Sequence, residues 1–150
     1  MIRTDKRLRI ARTLLVLNLC FIWGNSLLPG EISGAISEGL KKILMAVLSW
    51  EDAGGTGGGL LRKLAHFTEF ALLGGCLGWL CGMVNKNPAI ALAWGAGAAC
   101  VDETIQRFVP DRGPSLKDVG IDTCGVLTGL ILLHLGHNWL TQCKKRIGGN

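Results

Sequence analysis

The sequence predicts an all-α fold: a polytopic membrane bundle of four transmembrane helices, with one amphipathic helix on the extracytoplasmic face. Three observations predict it. Hydrophobic residues make up 49% of the 150-residue chain and charged residues only 18%, too little charge to clothe a soluble domain of this size. Four apolar runs, 10–28, 63–84, 88–109 and 118–140, each approach the roughly 20 residues that cross a bilayer core. The last three runs carry their ionisable residues near one end.

The first span follows "MIRTDKRLRIAR". This basic segment looks like the start of a signal peptide, but the apolar run is long and no A-x-A site follows, so a retained anchor is expected. Residues 31–50 then place Ile32, Ile36, Leu40, Ile43 and Val47 on one helical face, with Glu31, Glu38, Lys41 and Lys42 mostly on the others. That pattern predicts an interfacial helix with Trp50 near its end. "EDAGGTGGG", residues 51–59, reads as a flexible linker. Spans two and three are joined by the tight "NKNP" turn, and span four follows a loop stiffened by Pro110 and Pro114. Glycine is abundant, as in membrane helices. Gly74, Gly78 and Gly82 recur every four residues, as do Ala91, Gly95 and Ala99, and Gly125 and Gly129 continue a stripe below Asp118 and Asp122. Small residues at that spacing let helices approach closely. No internal repeat is visible, and the whole chain reads as one domain, 1–150.

Net charge is +5. The basic residues gather at the two ends of the chain without interleaved aromatics, which excludes a nucleic-acid surface and suits a lipid bilayer. Arg3, Lys6, Arg7, Arg9 and Arg12 precede span one, Lys86 lies between spans two and three, and Lys144, Lys145 and Arg146 follow span four. Four spans put all of these on one side, so both termini are expected in the cytoplasm of a multi-pass cell-membrane protein. Lys41, Lys42, Arg62, Lys63, Arg107, Arg112 and Lys117 on the other side make the contrast modest. Of the six cysteines, all but Cys143 fall inside apolar runs, and no CxxC or zinc-like His spacing occurs. They read as small apolar packers, not a disulfide framework.

The same topology leaves Asp5 as the single acid on the inner side. "RKLAHFTEF" sets Arg62, His66 and Glu69 on one face at i, i+4 and i+7. "VDETIQRF" sets Asp102 and Gln106 at i and i+4, with Glu103 one position round. Adjacent carboxylates cannot both point the same way, so at least one should face the bundle interior and find a donor. Arg112, in "PDRGPSLKDVGID", supplies a planar fork for a carboxylate pair or a phosphate. Ser115 suits the N-cap of span four and Asp118 its first turn. Asn25 and Ser26 end span one at the same level. The gathered charges have two readings: a buried ion-pair network that fixes helix register, or a functional site. His134 and His137, at the far end of span four, read as interfacial residues.

Together these motifs resemble the VanZ-like family, small membrane proteins named for a teicoplanin-resistance protein. The resemblance runs through "GNSLLPGEISGAIS", "RKLAHFTEFALLG", "DETIQRFVPDRGPSLKDVGID" and "GVLTG", roughly residues 23–130. Asp122 stands where many members have Asn. The resemblance implies a four- or five-helix protein of the bacterial cell envelope and a role in lowering susceptibility to glycopeptide antibiotics. It carries over His66, Glu69, Asp102, Glu103, Gln106, Arg112, Asp118 and Asp122 as the positions of a polar site. It names no cofactor.

Three function classes compete. A non-catalytic envelope protein would use the outer polar site to bind a cell-wall precursor or lipid headgroup. An enzyme would hold a divalent cation on His66, Glu69, Asp102 and Glu103, with Arg112 on a phosphate, for hydrolysis or transfer at a lipid-linked substrate. One His is a small nitrogen set for a transition metal, however, and metal dependence stays open. A transporter or proton relay fits poorly, since four short spans with no charge at mid-membrane make no pathway unless the chain forms homo-oligomers.

Overall fold

The computed structural model describes residues 2–48 and 57–147. It contains five α-helices: α1 (Ile2–Ser26), α2 (Gly30–Leu48), α3 (Gly57–Met83), α4 (Pro88–Gln106) and α5 (Leu116–Ile147). No strand occurs among the described residues. The prolines set the punctuation. Pro29 lies between α1 and α2, Pro88 opens α4, and Pro110 and Pro114 lie in the α4–α5 loop. None interrupts a helix interior, where a missing N–H and a ring clash would break the ladder.

α1 ends two residues before the predicted span does. The chain then turns by 107° into α2, with the Ser33 N–H donating to the Pro29 carbonyl at 3.0 Å to start the new helix. Ile32, Ile36 and Ile43 remain exposed along α2. The expected Trp50 anchor and linker residues 51–56 lie outside the described residues. Residues 57–59, expected in that linker, are instead the first residues of α3. Extending an established helix adds one hydrogen bond per residue fixed, which here outweighs the poor propensity of three glycines.

The α3–α4 turn is closed from both sides. Asn85 takes a left-handed conformation, φ 52°, and the Lys86 N–H donates to the Cys81 carbonyl at 2.9 Å, the pattern that ends many helices. Asn87 then caps α4, its side chain accepting from Ala89 N–H at 2.9 Å ahead of Pro88. α4 stops at Gln106, three residues before the predicted span ends. α5 runs 32 residues, or about 48 Å at 1.5 Å per residue, well past a bilayer core of about 30 Å.

Main-chain proximity of α3 and α5 organises the bundle. A methyl in place of the Gly74 hydrogen would run into the main chain of Val126, one at Gly129 into that of Ala71, and one at Gly125 into the Phe67 carbonyl. Gly95 of α4 faces the Val126 side chain, with a substituent Cβ falling 2.5 Å from its Cγ1. Val126 is thus gripped between α3 and α4, inside a core that also holds Ile22, Phe70, Leu73, Leu77, Ala91 and Ala99. Gly78 meets Leu130, but Gly82 has nothing within 4 Å. The four-residue glycine stripe is therefore used over its first two positions only.

Among the described residues, two helices are long and apolar enough to cross a membrane, Leu60–Met83 and Leu116–Arg146, and the bent pair Asp5–Ser26 with Gly30–Gly39 makes a third if taken as one span. α4 is not among them, because Asp102 and Glu103 cut short its apolar stretch. Large apolar side chains cover the outside, including Phe21, Leu72, Trp94, Leu132 and Trp139, as lipid contact requires. The six cysteines are free thiols.

If the glycine contacts set the α3–α5 distance, Gly129→Val should lower unfolding stability in detergent by about 1–3 kcal/mol or more, the range for overpacking. Gly82→Ala, in open space, should be neutral or slightly stabilising. Thermal or denaturant unfolding of the two variants side by side checks this, and equal stability would remove the glycine contacts from their organising role.

Candidate functional site

Helix direction brings the polar residues to one end of the bundle. α1 and α4 finish there, while α3 and α5 begin there. Asn25, Ser26, His66, Glu69, Asp102, Glu103, Gln106, Asp118 and Asp122 consequently meet, under a roof made by the α4–α5 loop. The roof is pinned to α2: the Gly30 N–H donates to the Pro110 carbonyl at 3.2 Å. A side chain at Gly30 would collide with Asp111, which itself sits in the left-handed region at φ 58°.

Three of the four buried carboxylates have a hydrogen-bond partner, each a different one. Glu69 accepts from Asn25 Nδ2 at 2.9 Å. Asp102 accepts from Gln106 Nε2 at 2.9 Å and stands 3.8 Å from His66 Nδ1. The Gln106 amide also makes a long, 3.4 Å donation to Ser26 Oγ. Glu103 turns the other way and accepts the Ser115 N–H at 2.7 Å. Ser115 therefore serves α5 by its main chain. Its carbonyl takes the Asp118 and Val119 N–H groups, and its own N–H meets a carboxylate from the neighbouring helix, where the positive end of the α5 dipole favours an anion. Both members of the "DE" pair are buried, Asp102 completely and Glu103 to 6% exposure, and they avoid each other by serving different helices.

The position of that pair is costly. Asp102 and Glu103 lie in the last turn of α4, the end at which the helix dipole disfavours negative charge. Asp122 is 1% exposed, and neither of its oxygens has a hydrogen-bond partner. Glu69 Oε2, Asp102 Oδ1 and His66 Nδ1 are likewise buried without one. Asp118 is half-buried and only 3.9 Å from Lys63 Nζ, a partly exposed pair that contributes little.

Arg112 departs from expectation. The sequence suggests a fork gripping a carboxylate pair, yet no Arg112 ion pair occurs among the described residues, and its Nε and Nη1 are buried without partners. Burial, with Arg62 nearby, pushes the guanidinium below its ordinary pKa, while Asp102, Glu103 and Glu69 pull it back. It remains a cation, as arginine does in proteins.

The cation set proposed from sequence also changes. Glu69 and Glu103 are engaged by Asn25 and Ser115, and it is Asp102 and Asp122 that converge with His66, one ligand atom from each lying within 4.8 Å of the others. Beside them opens a pocket of about 10 Å³, lined by Arg62, Lys63, His66, Glu103, Gln106, Asp118, Ile121 and Asp122. Asn25 and Ser26 belong to this constellation as much as the residues picked for their charge. Their signal was a polar pair ending an apolar helix just before a proline. His134 and His137 lie far away and exposed on α5, with His134 paired to Asn138 at 3.0 Å.

The family model described as VanZ/LLP1 matches residues 11–137 of the chain. The chain belongs to the VanZ/LLP1 family. No curated protein and no solved structure matches it. The VanZ/LLP1 match takes in the packed parts of all five helices and every residue of the polar cluster. The basic residues 3–9 and 144–146 fall outside it. Membership in the VanZ/LLP1 family and the lipid-suited exterior together make this a membrane protein.

Removing the Asn25 amide would leave Glu69 with two unpartnered oxygens in place of one. Asn25→Ala should therefore destabilise the protein by about 1–3 kcal/mol, the penalty of an unsatisfied buried group. Equilibrium unfolding in detergent measures it, and wild-type stability would show that the Asn25–Glu69 bond contributes nothing net.

Proposed function

We propose that the protein is a four-span envelope protein whose polar cluster faces outward and binds a charged headgroup, of a cell-wall precursor or a lipid, thereby lowering susceptibility to teicoplanin-type glycopeptides. The chain forms a single domain with both termini in the cytoplasm. The 107° turn into α2 supports this arrangement. A helix roughly perpendicular to a spanning α1 lies along the membrane surface, and its exposed Ile32, Ile36 and Ile43 would then meet lipid. α4, although short in apolar length, is the fourth span, since its polar end is covered by α1, α3 and α5 rather than by lipid.

One observation carries the binding reading. Arg112 holds two buried, unpartnered nitrogens beside carboxylates that hold buried, unpartnered oxygens. A pure register-fixing network would be expected to pair these groups with each other, because leaving them unmatched costs more than burying apolar atoms in their place. A ligand with an anionic group for Arg112 and a donor group for the carboxylates would satisfy both sets. The residues assigned to that site are His66, Glu69, Asp102, Glu103, Gln106, Arg112, Asp118 and Asp122. A hydrolase or transferase reading has no separate observation in its favour.

Arg112→Ala should leave the amount of protein in the membrane unchanged and abolish its effect on glycopeptide susceptibility. Arg112→Lys, which keeps the charge without the fork, should restore only part of it. Susceptibility and envelope composition that do not respond to deletion of the whole protein would remove the reading. Orientation has its own test. In a variant with Cys143 as the single cysteine, a membrane-impermeant thiol reagent should label intact cells only after permeabilisation. Labelling of intact cells would place the C-terminus outside.

A further inference from the structure

We propose that His66, Asp102 and Asp122 form a binding site for one divalent first-row cation, of the Mn2+ or Zn2+ class. This goes beyond the headgroup reading and does not rest on it. The site is assembled by three helices, α3, α4 and α5, each giving one ligand. Its ligand atoms already lie within 4.8 Å of one another, with His66 Nδ1 and Asp102 Oδ2 at 3.8 Å. Metal–ligand bonds of about 2.0–2.2 Å set ligands about 3.3–3.6 Å apart in a tetrahedral shell, so modest side-chain rotation would close the set.

Three observations point to a cation and not to an acidic cluster alone. Asp122 is 1% exposed with both oxygens unpartnered, and Asp102 is fully buried with Oδ1 unpartnered. His66 Nδ1, which is able to donate an electron pair, is buried without a hydrogen-bond partner.

The donor set selects the metal. One imidazole with two carboxylates leans towards hard ligands, which suits Mn2+, while Zn2+ stands higher in general affinity. Mg2+ and Ca2+ prefer all-oxygen shells. The adjoining pocket offers room for about one water, enough to complete a shell beyond the three protein ligands. Gln106 is a positioning residue here. Its amide holds Asp102 through Oδ2 at 2.9 Å, the kind of outer contact that orients a ligating carboxylate.

The test uses the full chain, purified in detergent without a histidine tag, stripped with chelator and titrated separately with Mn2+ and Zn2+. Wild type should bind one equivalent of either ion, and its thermal midpoint should rise with ion concentration. Asp122→Asn, nearly isosteric, and His66→Gln should each weaken binding at least tenfold while eluting as wild type in gel filtration. The double variant His134→Ala/His137→Ala, altered at the far end of α5, should bind as wild type. Absence of saturable binding by wild type at micromolar ion would overturn the proposal, as would undiminished affinity in both ligand variants. No antibiotic or lipid enters these titrations, so their failure leaves the headgroup reading to the susceptibility assay.

Discussion

Everything else in this structure depends on how closely α3 and α5 approach. Glycine at 74, 125 and 129 lets main chain meet main chain, where any side chain would collide. Apolar side chains give helices no hydrophobic reason to associate within lipid, so close van der Waals contact has to supply the attraction. The same contact fixes distances at the polar end. Glu69 lies five residues before Gly74, and Asp122 three residues before Gly125, so the helix separation set by the glycines also sets how near His66 and Asp122 stand. Val126, clasped by Gly74 and by Gly95 of α4, carries that geometry across to Asp102.

The polar end is held together by unlike partners. Asn25 and Gln106, both neutral amides, each serve one carboxylate, and the first main-chain N–H before α5 serves a third. Amides and N–H groups satisfy carboxylate oxygens without adding charge, so they hold the acids in place yet leave a negative field. Permanent cations stand around this centre and not within it. Arg112 and Arg62 are half-buried at the rim, and Lys63 is more exposed still. Such an arrangement is poorly suited to locking helices by ion pairs and well suited to receiving a charged species from outside. The roof over it, with Gly30 against Pro110 and Asp111, ties the site to α2.

Much of this was legible in the sequence, because its signals are local or periodic. Apolar run length reported the long helices, proline placement reported their breaks, and i, i+3, i+4 spacing reported which of Arg62, His66, Glu69, Asp102 and Gln106 share a face. Helix ends were less legible. α3 runs back through glycines that read as linker, and α4 stops short of Phe108 and Val109, since propagation and loop contacts, not hydropathy, decide where a helix stops. The glycine stripe could be seen, but not that Gly82 lies idle, because spacing alone does not say where the neighbouring helix diverges.

The sequence by itself determined the class of protein, the helices, and the one end at which polar residues collect. Those follow from composition and period, which every residue carries with it. Only the tertiary structure decided the partners. It sent Glu69 to Asn25 and Glu103 to Ser115, left Arg112 without a carboxylate, and put Asp122 beside Asp102 and His66. Those choices depend on the rotation and separation of four helices packed through glycine, and a shift of an ångström or two would reassign each of them. Nothing in a linear pattern of charges encodes distances that fine.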